Sequence, residues 1–254
     1  MSTKVILPHT IVDQDHYGLW SWCAEVILSR ETSFFTDDES ELRKLFETCI
    51  RASLAHCRKP AADKNEWQRQ NEIEQQLPHH ARYFLLESSL ALAYLGFPLL
   101  ESIAKKMCSA YVDMDGTVIS PFQVTNKAGG IREYDPSGRW NQKQCSSLRD
   151  LLFLIHDQVA DADLKNSLTE FRNHISTLDN SEDPFDVVYK WRNQSLHGTT
   201  SFQTIGGTLL NLGLTICVYQ LKGRFQEIKA KTIERCRWEA QHDHKSPWSF
   251  YPPY

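Results

Sequence analysis

Apolar residues recur at every third or fourth position along most of this chain, which predicts amphipathic helices. The most hydrophobic stretch is HHARYFLLESSLALAYLGFPLLESIAKKMC, and it predicts a central core helix. Gly96 and Pro98 within it predict a kink, because proline cannot donate the backbone hydrogen bond of a regular helix. The segments with helical spacing are 20–30, 37–57, 62–77, 79–108, 146–159, 162–178, 183–198 and 200–237.

Residues typical of helix ends frame the segment 183–198. Asp183 is a suitable N-cap, and Pro184 suits the first helical position, where its missing N–H is not needed. Gly198 is placed to stop the helix. The sequence therefore predicts a helix that ends in a turn near residue 198, followed by another apolar helix.

The segment 111–144 departs from this spacing. In YVDMDGTVISPF, β-forming residues alternate around Asp115 and Gly116, a pair typical of hairpin turns, and 126–144 predicts an irregular loop. The fold is thus predicted to be all-α with a small β-hairpin/loop insertion. Its parts are an N-terminal helical extension (1–78), a helical domain (79–240) with the insertion 111–144, and a tail (241–254).

Composition narrows the classes of function. The chain has 254 residues, is 41% apolar and carries a formal net charge of −4, so any contact with nucleic acid requires a local basic surface. Seven cysteines without a Cys-x-x-Cys pair favour reduced thiols over disulfides or a zinc site. The longest apolar run is interrupted by Pro98, and the first residues do not resemble a signal peptide. We therefore expect a cytoplasmic protein with no membrane contact, no metal and no cofactor.

The stretch KWRNQSLHGTT contains the residues best suited to chemistry. On a continuous helix Asn193 and His197 differ by about 40° and share a face, whereas Arg192 and His197 differ by about 140°. Arg192 therefore meets His197 only if its long side chain or a nearby helix end allows it. A histidine here could take the proton from a ribose 2′-hydroxyl, and an arginine could stabilise the charge that develops on the phosphate. An ordinary helix end, with Arg192 paired to a carboxylate, is the alternative.

WRNQSLHG resembles the Arg-Asn-x-x-x-His signature of the HEPN superfamily (higher eukaryotes and prokaryotes nucleotide-binding), and an apolar helix follows it as in that family. The resemblance covers 79–110 and 145–237 and implies a HEPN-like helical bundle. It implies a metal-independent endoribonuclease whose catalytic residues are Arg192, Asn193 and His197, in a cleft shared by two subunits.

The same resemblance implies supporting residues and partners. Family members often carry an acidic residue on a preceding core helix that faces the motif, and Glu101 is the candidate, with Lys105 one turn further on. RNA is then the substrate, the protein is a homodimer, and an antitoxin or regulatory protein is a further partner. The implied role is that of a toxin or an antiviral defence effector. A non-catalytic HEPN-like module that binds a nucleotide or a protein is the alternative.

A basic surplus follows the motif. The segment LKGRFQEIKAKTIERCR holds six basic and two acidic residues, which predicts a surface that follows a phosphate backbone. A solvated helix face explains the same charges, so both interpretations stay open. The candidate nucleic-acid-binding residues are Lys222, Arg224, Lys229 and Lys231.

The string DMDGTV (113–118) is similar to the nucleophile motif of haloacid dehalogenase phosphatases. In that chemistry Asp113 would attack phosphorus and Asp115 would act as acid and base, and the nucleophile must lie at the tip of a buried parallel strand. Here a predicted helix precedes the string and predicted helices follow it. An Asp-Gly hairpin turn is therefore the favoured interpretation.

Overall fold

The computed structural model describes residues 26–29, 32–54, 61–138, 142–195 and 201–242. The helices are α1 (Ser40–Leu54), α2 (Lys64–Gln76), α3 (His79–Leu86), α4 (Ser88–Met107), α5 (Leu148–Leu154), α6 (Ala162–Leu178), α7 (Pro184–Ser195), α8 (Phe202–Gln220) and α9 (Phe225–Gln241). The strands are β1 (Phe122–Thr125) and β2 (Ile131–Tyr134). The prediction of a mostly helical fold is confirmed, and a small antiparallel β-ladder lies within the predicted insertion 111–144.

Local capping chemistry sets the helix starts. Asp183 Oδ1 accepts a hydrogen bond from the backbone N–H of Phe185 at 2.9 Å, and Pro184 is the first residue of α7, as the sequence predicts. In the same way Asp161 accepts from the N–H of Leu164 at 2.9 Å at the start of α6. These side chains satisfy backbone donors that have no partner inside the helix.

Helices α4 and α8 pack closely at the centre of the molecule. A Cβ atom on Gly206 would lie 2.8 Å from Leu92 Cγ, and one on Gly96 would lie 3.1 Å from Leu209 Cδ1. Gly206 of α8 contacts Leu92 of α4, and Leu209, later in α8, contacts Gly96, later in α4. The two helices therefore run in the same direction. The absence of side chains at the two glycines is what allows this approach.

Helix α1 packs against α4 and belongs to the same hydrophobic core. Phe46 and Ile50 are fully buried in that core. Lys106 Nζ also donates to both carboxylate oxygens of Glu39 at 2.7 Å. Burial alone would raise the pKa of Glu39, but the hydrogen bonds from Lys106 and Thr36 and the charge of Lys106 together outweigh it, and the pKa is lowered. Residues before the central helices therefore contribute both apolar burial and an ion pair to the core.

The β-ladder lies later in the insertion than the alternating pattern indicates. β1 and β2 are antiparallel with Phe122 opposite Tyr134, whose rings stack at 4.5 Å between centroids. At the predicted turn, Gly116 has a φ of +93° and its N–H donates to Asp113 O at 2.9 Å, but isolated bridges flank it instead of paired strands: Val112 with Val118, and Thr117 with Gln144. The stretch 126–134, predicted to be a loop, supplies β2 because the ladder is stabilised by burial against α5 rather than by the Asp-Gly turn.

Two predicted long helices are each divided. The stretch 79–108 breaks at Glu87, where Ser88 Oγ donates to Leu85 O at 3.0 Å and the axes of α3 and α4 bend by 49°. Helix α4 then continues through Pro98, so the break does not lie at the predicted kink. The stretch 200–237 breaks at Leu221, which turns into the core, and a short 3₁₀ turn separates α8 from α9.

Helix α8 is long and apolar enough to cross a membrane by length and composition, and so is the bent pair α3–α4 if it is counted as one span. In α8, 72% of the apolar window is buried inside the protein. Such burial is also a property of the core helix of a bundle.

Replacing Gly206 with alanine should destabilise the protein by about 1–3 kcal/mol, although alanine favours helix by about 1 kcal/mol. The new Cβ would lie 2.9 Å from the backbone nitrogen of Ala93, which cannot move without shifting α4. Urea denaturation measures the change in the free energy of unfolding. Gly213→Ala is the matched control, because its nearest neighbour is the rotatable Cδ1 of Ile103 at 3.2 Å. Equal stability of the two variants would contradict this account of the α4–α8 contact.

Candidate functional site

The last turn of α7 presents the first two motif residues to solvent. Val187, Val188 and Trp191 are buried, so one face of α7 is fixed against the core. Arg192 and Asn193 follow Trp191 directly and are exposed, because the helix turns them away from that face. A buried tryptophan thus determines the orientation of the two polar residues beside it.

Arg192, Glu101 and Lys105 come together between α7 and α4. Arg192 Nη1 lies 3.8 Å from Glu101 Oε2, and Lys105 Nζ lies 2.9 Å from Glu101 Oε1. The Arg192 side chain is 45% exposed, whereas those of Glu101 and Lys105 are 20% and 11% exposed. The cluster therefore has one carboxylate between two cations and a formal charge of +1, and Arg192 is its most exposed member.

His197 and Gly198 lie outside the described residues, as does the predicted helix stop. Helix α7 is described as far as Ser195, two positions before the histidine. The predicted relation of Asn193 to His197 on one helical face therefore stays a prediction.

A buried ionic network holds α7 in place from the other side. Arg149 Nε donates to Asp186 Oδ1 at 2.5 Å, and its Nη1 donates to Asp150 Oδ1 at 2.9 Å and to Thr125 O at 2.7 Å. Its guanidinium carbon also lies 4.4 Å from the ring centroid of Phe153. Burial alone would lower the pKa of Arg149, but the hydrogen bonds to Asp186 and Asp150 raise it. One arginine on α5 thus joins α7 to the end of β1.

The β-hairpin completes the same network. Asp150 Oδ2 accepts from Arg132 Nη1 and from the hydroxyl of Tyr134, each at 2.6 Å. Asp150 is fully buried, so these donors replace the water that its carboxylate loses. The hairpin therefore belongs to the framework that fixes α7, rather than forming a separate loop.

The connection between α6 and α7 is fixed by a second ion pair. Lys190 Nζ lies 3.1 Å from Asp179 Oδ2 and 3.1 Å from Ser181 Oγ. Hydrogen bonds from Ser181, together with the one from Lys190, lower the pKa of Asp179 to about 2. Lys190, two residues before Arg192, is thus paired with a carboxylate of this connection.

An aromatic pair lies beside the charged cluster. Tyr94 stands seven residues before Glu101 on α4, so the two share a face about 10 Å apart along the axis. Its side chain is 40% exposed and stacks on Phe202, with 6.1 Å between centroids and 30° between the planes. This pair was not predicted from the sequence, although the spacing of seven residues between Tyr94 and Glu101 was available as a signal.

The basic segment after the motif is largely paired with carboxylates. Lys222 contacts Asp161 and Asp163, and both Arg224 and Lys231 contact Glu227. Hydrogen bonds from Arg224 and then Lys231 lower the pKa of Glu227 to about 2. Lys222 and Lys229 are exposed, and Arg224 and Lys231 are partly exposed. Exposed ion pairs of this kind contribute little stability individually, so the lysines can exchange these contacts for others. The paired carboxylates reduce the local surplus of positive charge.

The DMDGTV string forms a turn whose first three residues, Asp113 to Asp115, are exposed, whereas Gly116 and Val118 are buried. Asp115 Oδ1 accepts from the N–H of Thr117 at 2.7 Å, and its Oδ2 accepts from the Thr117 hydroxyl at 2.9 Å. Both hydrogen bonds lower the pKa of Asp115. Within the described ranges, the sheet is two-stranded and antiparallel, so Asp113 does not follow a parallel strand there. The hairpin-turn interpretation is supported over the phosphatase one.

The described cysteines are buried thiols and do not belong to a metal site. Among the residues that the structure describes, no group of three or more His, Cys, Asp or Glu side chains is arranged to hold a metal ion. Cys49, Cys108, Cys145 and Cys217 are free and buried. Burial raises the pKa of Cys145 to about 11, so this thiol is protonated at neutral pH and is a poor nucleophile.

No protein-family model, curated protein or solved structure matches this chain. The functional assignment therefore depends on the sequence resemblance at 191–198 and on the geometry of the Arg192 cluster.

Proposed function

We propose that this protein is a metal-independent endoribonuclease of HEPN type, with Arg192, Asn193 and His197 as its catalytic set. The observation that carries the proposal is the meeting of Arg192 with both Glu101 and Lys105, because the second cation gives the exposed arginine a positively charged neighbourhood instead of a simple pair with a carboxylate. An exposed arginine beside a conformationally fixed carboxylate fits a group that binds an anionic substrate.

Arg192 is suited to bind a phosphodiester without leaving its helix. Its guanidinium has five N–H donors in a planar arrangement, and its side chain is 45% exposed. At 3.8 Å this contact is longer than the 2.9 Å between Glu101 and Lys105, so Glu101 orients the guanidinium rather than holding it tightly. A phosphate can therefore approach the exposed side of Arg192 while Glu101 stays paired with Lys105.

The proposed reaction is an internal transfer at phosphorus. His197 takes the proton from a ribose 2′-hydroxyl, and the 2′-oxygen attacks the adjacent phosphorus. The bond from phosphorus to the 5′-oxygen breaks, and this oxygen leaves with a proton supplied by an acid. Arg192 stabilises the negative charge on the non-bridging oxygens, and Asn193 orients the imidazole.

A second copy of the chain would supply the acid. One Arg-Asn-His set provides a single base and a single cation, whereas the leaving oxygen needs a proton donor. Two sets related by a two-fold axis provide both, which is why we propose a homodimer. A toxin or antiviral role, with an antitoxin or regulatory partner, follows from the family resemblance.

Cleavage of a mixed-sequence single-stranded RNA should persist in excess EDTA and should leave a 2′,3′-cyclic phosphate. The proposed base and cation are both side chains, so removing divalent metal does not remove a reacting group. Mass spectrometry of the fragments identifies the terminus. An RNA with a single 2′-deoxyribose at the cleaved position is the matched control and should stay intact there.

Strict dependence on magnesium or zinc would contradict this mechanism. If the protein binds RNA or a nucleotide but does not cleave RNA in the presence or in the absence of metal, a non-catalytic binding module replaces the ribonuclease as the proposed function.

A further inference from the structure

We infer that Tyr94 is a base-stacking platform, and that the Arg192 site takes single-stranded RNA with an unpaired base on this ring. The inference deepens the proposed function and rests on it for the placement of the phosphate at Arg192. It adds a substrate class and a specificity-determining residue to that site.

Geometry places the ring at a suitable distance from the charged cluster. Seven helical residues separate Tyr94 from Glu101, which corresponds to about 10 Å along α4 and a difference of about 20° in direction. Stacked bases in one strand rise by about 3.4 Å each, so about three nucleotides cover this distance, and fewer do in an extended strand. A phosphate at Arg192 and a nearby base at Tyr94 can therefore belong to one short single strand.

The ring is held in position and still accessible. Tyr94 stacks on Phe202, which is half-buried and is the first residue of α8. Close packing of α8 on α4 at Gly206 fixes Phe202 relative to Tyr94. With 40% of Tyr94 exposed, the protein supplies support for the ring and leaves part of it open to a base.

The charges along this face decide which part of the strand lies at each end. Arg192 and Lys105 lie at the Glu101 end of the face, whereas residues 88–94 at the start of α4 carry no charged side chain. A phosphate is therefore attracted to the first end and not to the second. The uncharged part of the strand, the base, is thus the part that suits Tyr94.

A duplex is a poor fit for such a site. Bases of a duplex are stacked on one another and paired, so their faces are not accessible to a tyrosine ring. Unpaired bases stack readily on aromatic side chains, with little dependence on sequence. The platform therefore selects unpaired RNA without specifying a particular base.

Fluorescence anisotropy with a short 2′-O-methyl RNA tests the inference, because this probe has no free 2′-hydroxyl and binding is measured without cleavage. Tyr94→Ala should weaken binding by about 5- to 150-fold, the range typical of losing one stacked base. Tyr94→Phe should bind like the wild type. Tyr83→Ala is the matched control, since Tyr83 is 61% exposed on α3, and it should have no effect.

A set of the same oligonucleotides, each with one abasic position, provides the decisive comparison. At one position of the strand the base should stack on Tyr94. A probe that is abasic at this position should bind the wild-type protein as weakly as the intact probe binds Tyr94→Ala. Tyr94→Ala should bind this abasic probe and the intact probe with equal affinity. Tyr94→Leu, which retains apolar bulk against Phe202, replaces the alanine variant if the latter does not fold by circular dichroism.

The outcomes separate this inference from the proposed function. Equal binding by wild type and Tyr94→Ala, an equal loss on every abasic probe, or no binding by wild type overturns the inference, even if RNA is cleaved. If binding depends on Tyr94 but the protein cleaves no RNA, the result supports the inference and rules out the ribonuclease proposal.

Discussion

Replacing His197 with alanine should lower the rate of RNA cleavage by about a hundred- to ten-thousand-fold and leave most RNA binding intact. A general base contributes a factor of this size, because without it the 2′-hydroxyl must lose its proton to water. The phosphate would still be bound by Arg192, so the Michaelis constant should change little. Single-turnover kinetics on a fluorescent RNA measures the rate, and anisotropy with a 2′-O-methyl analogue measures the binding.

Variants of nearby and distant residues provide the controls. Arg192→Ala should weaken both binding and rate, because a cation on the phosphate acts in the ground state and in the transition state. Asn193→Ala should have a milder effect, and Asp113→Asn should have none. His80→Ala removes an exposed histidine elsewhere and should be silent.

Chemical rescue would make the assignment more specific. Added imidazole should restore part of the rate of His197→Gly and should not restore that of Arg192→Ala, since only the first variant lacks a base. Full activity of His197→Ala would rule out the proposed base.

Replacing Arg149 with methionine should destabilise the protein by about 3–5 kcal/mol, the loss typical of removing one partner from a buried ion pair. Methionine keeps the length of the side chain but leaves the carboxylates of Asp186 and Asp150 without their shared donor. Asp186 is 6% exposed, so water cannot easily replace the guanidinium. Urea denaturation followed by circular dichroism measures the free energy of unfolding.

An exposed ion pair provides the comparison. Arg51→Met removes a contact with Glu47 within α1, where the arginine side chain is 47% exposed, and should cost less than about 1 kcal/mol. Combining Arg149→Met with Asp186→Leu should recover part of the stability, because it removes the stranded carboxylate as well. If Arg149→Met and Arg51→Met are equally stable, the buried network does not hold α7 as described.

The candidate site was predictable only in part from the sequence. Glu101 and Lys105 are four residues apart on one helix, so their ion pair follows from spacing. The approach of Arg192 to Glu101 does not follow from spacing, because it depends on how α7 lies on α4. Family resemblance selected Glu101, and the packing of the two helices brought the side chains to 3.8 Å. Tyr94 could not be recognised from the sequence, because an aromatic residue on an apolar helix gives the same hydrophobic pattern whether its side chain is buried or half exposed.

The network around Arg149 was not visible in the sequence at all. SSLRDLLFL is an ordinary helical pattern, in which an arginine and an aspartate are expected to face solvent. They are buried because β1, β2 and α7 converge on them from distant parts of the chain. A charged residue can be buried only where partners of opposite charge are brought to it, and that depends on the tertiary structure.

Sequence by itself determined the helical character, the ends of α6 and the start of α7, since periodicity and capping act over a few neighbouring residues. It also determined the Asp113–Gly116 turn, because glycine adopts a positive φ without steric cost. Tertiary structure decided where the β-ladder forms, where the chain breaks at Glu87 and Leu221, and which face of α7 presents Arg192. Each of these depends on burial against residues far away in the chain, and the free energy of that burial exceeds local preferences of a few tenths of a kcal/mol.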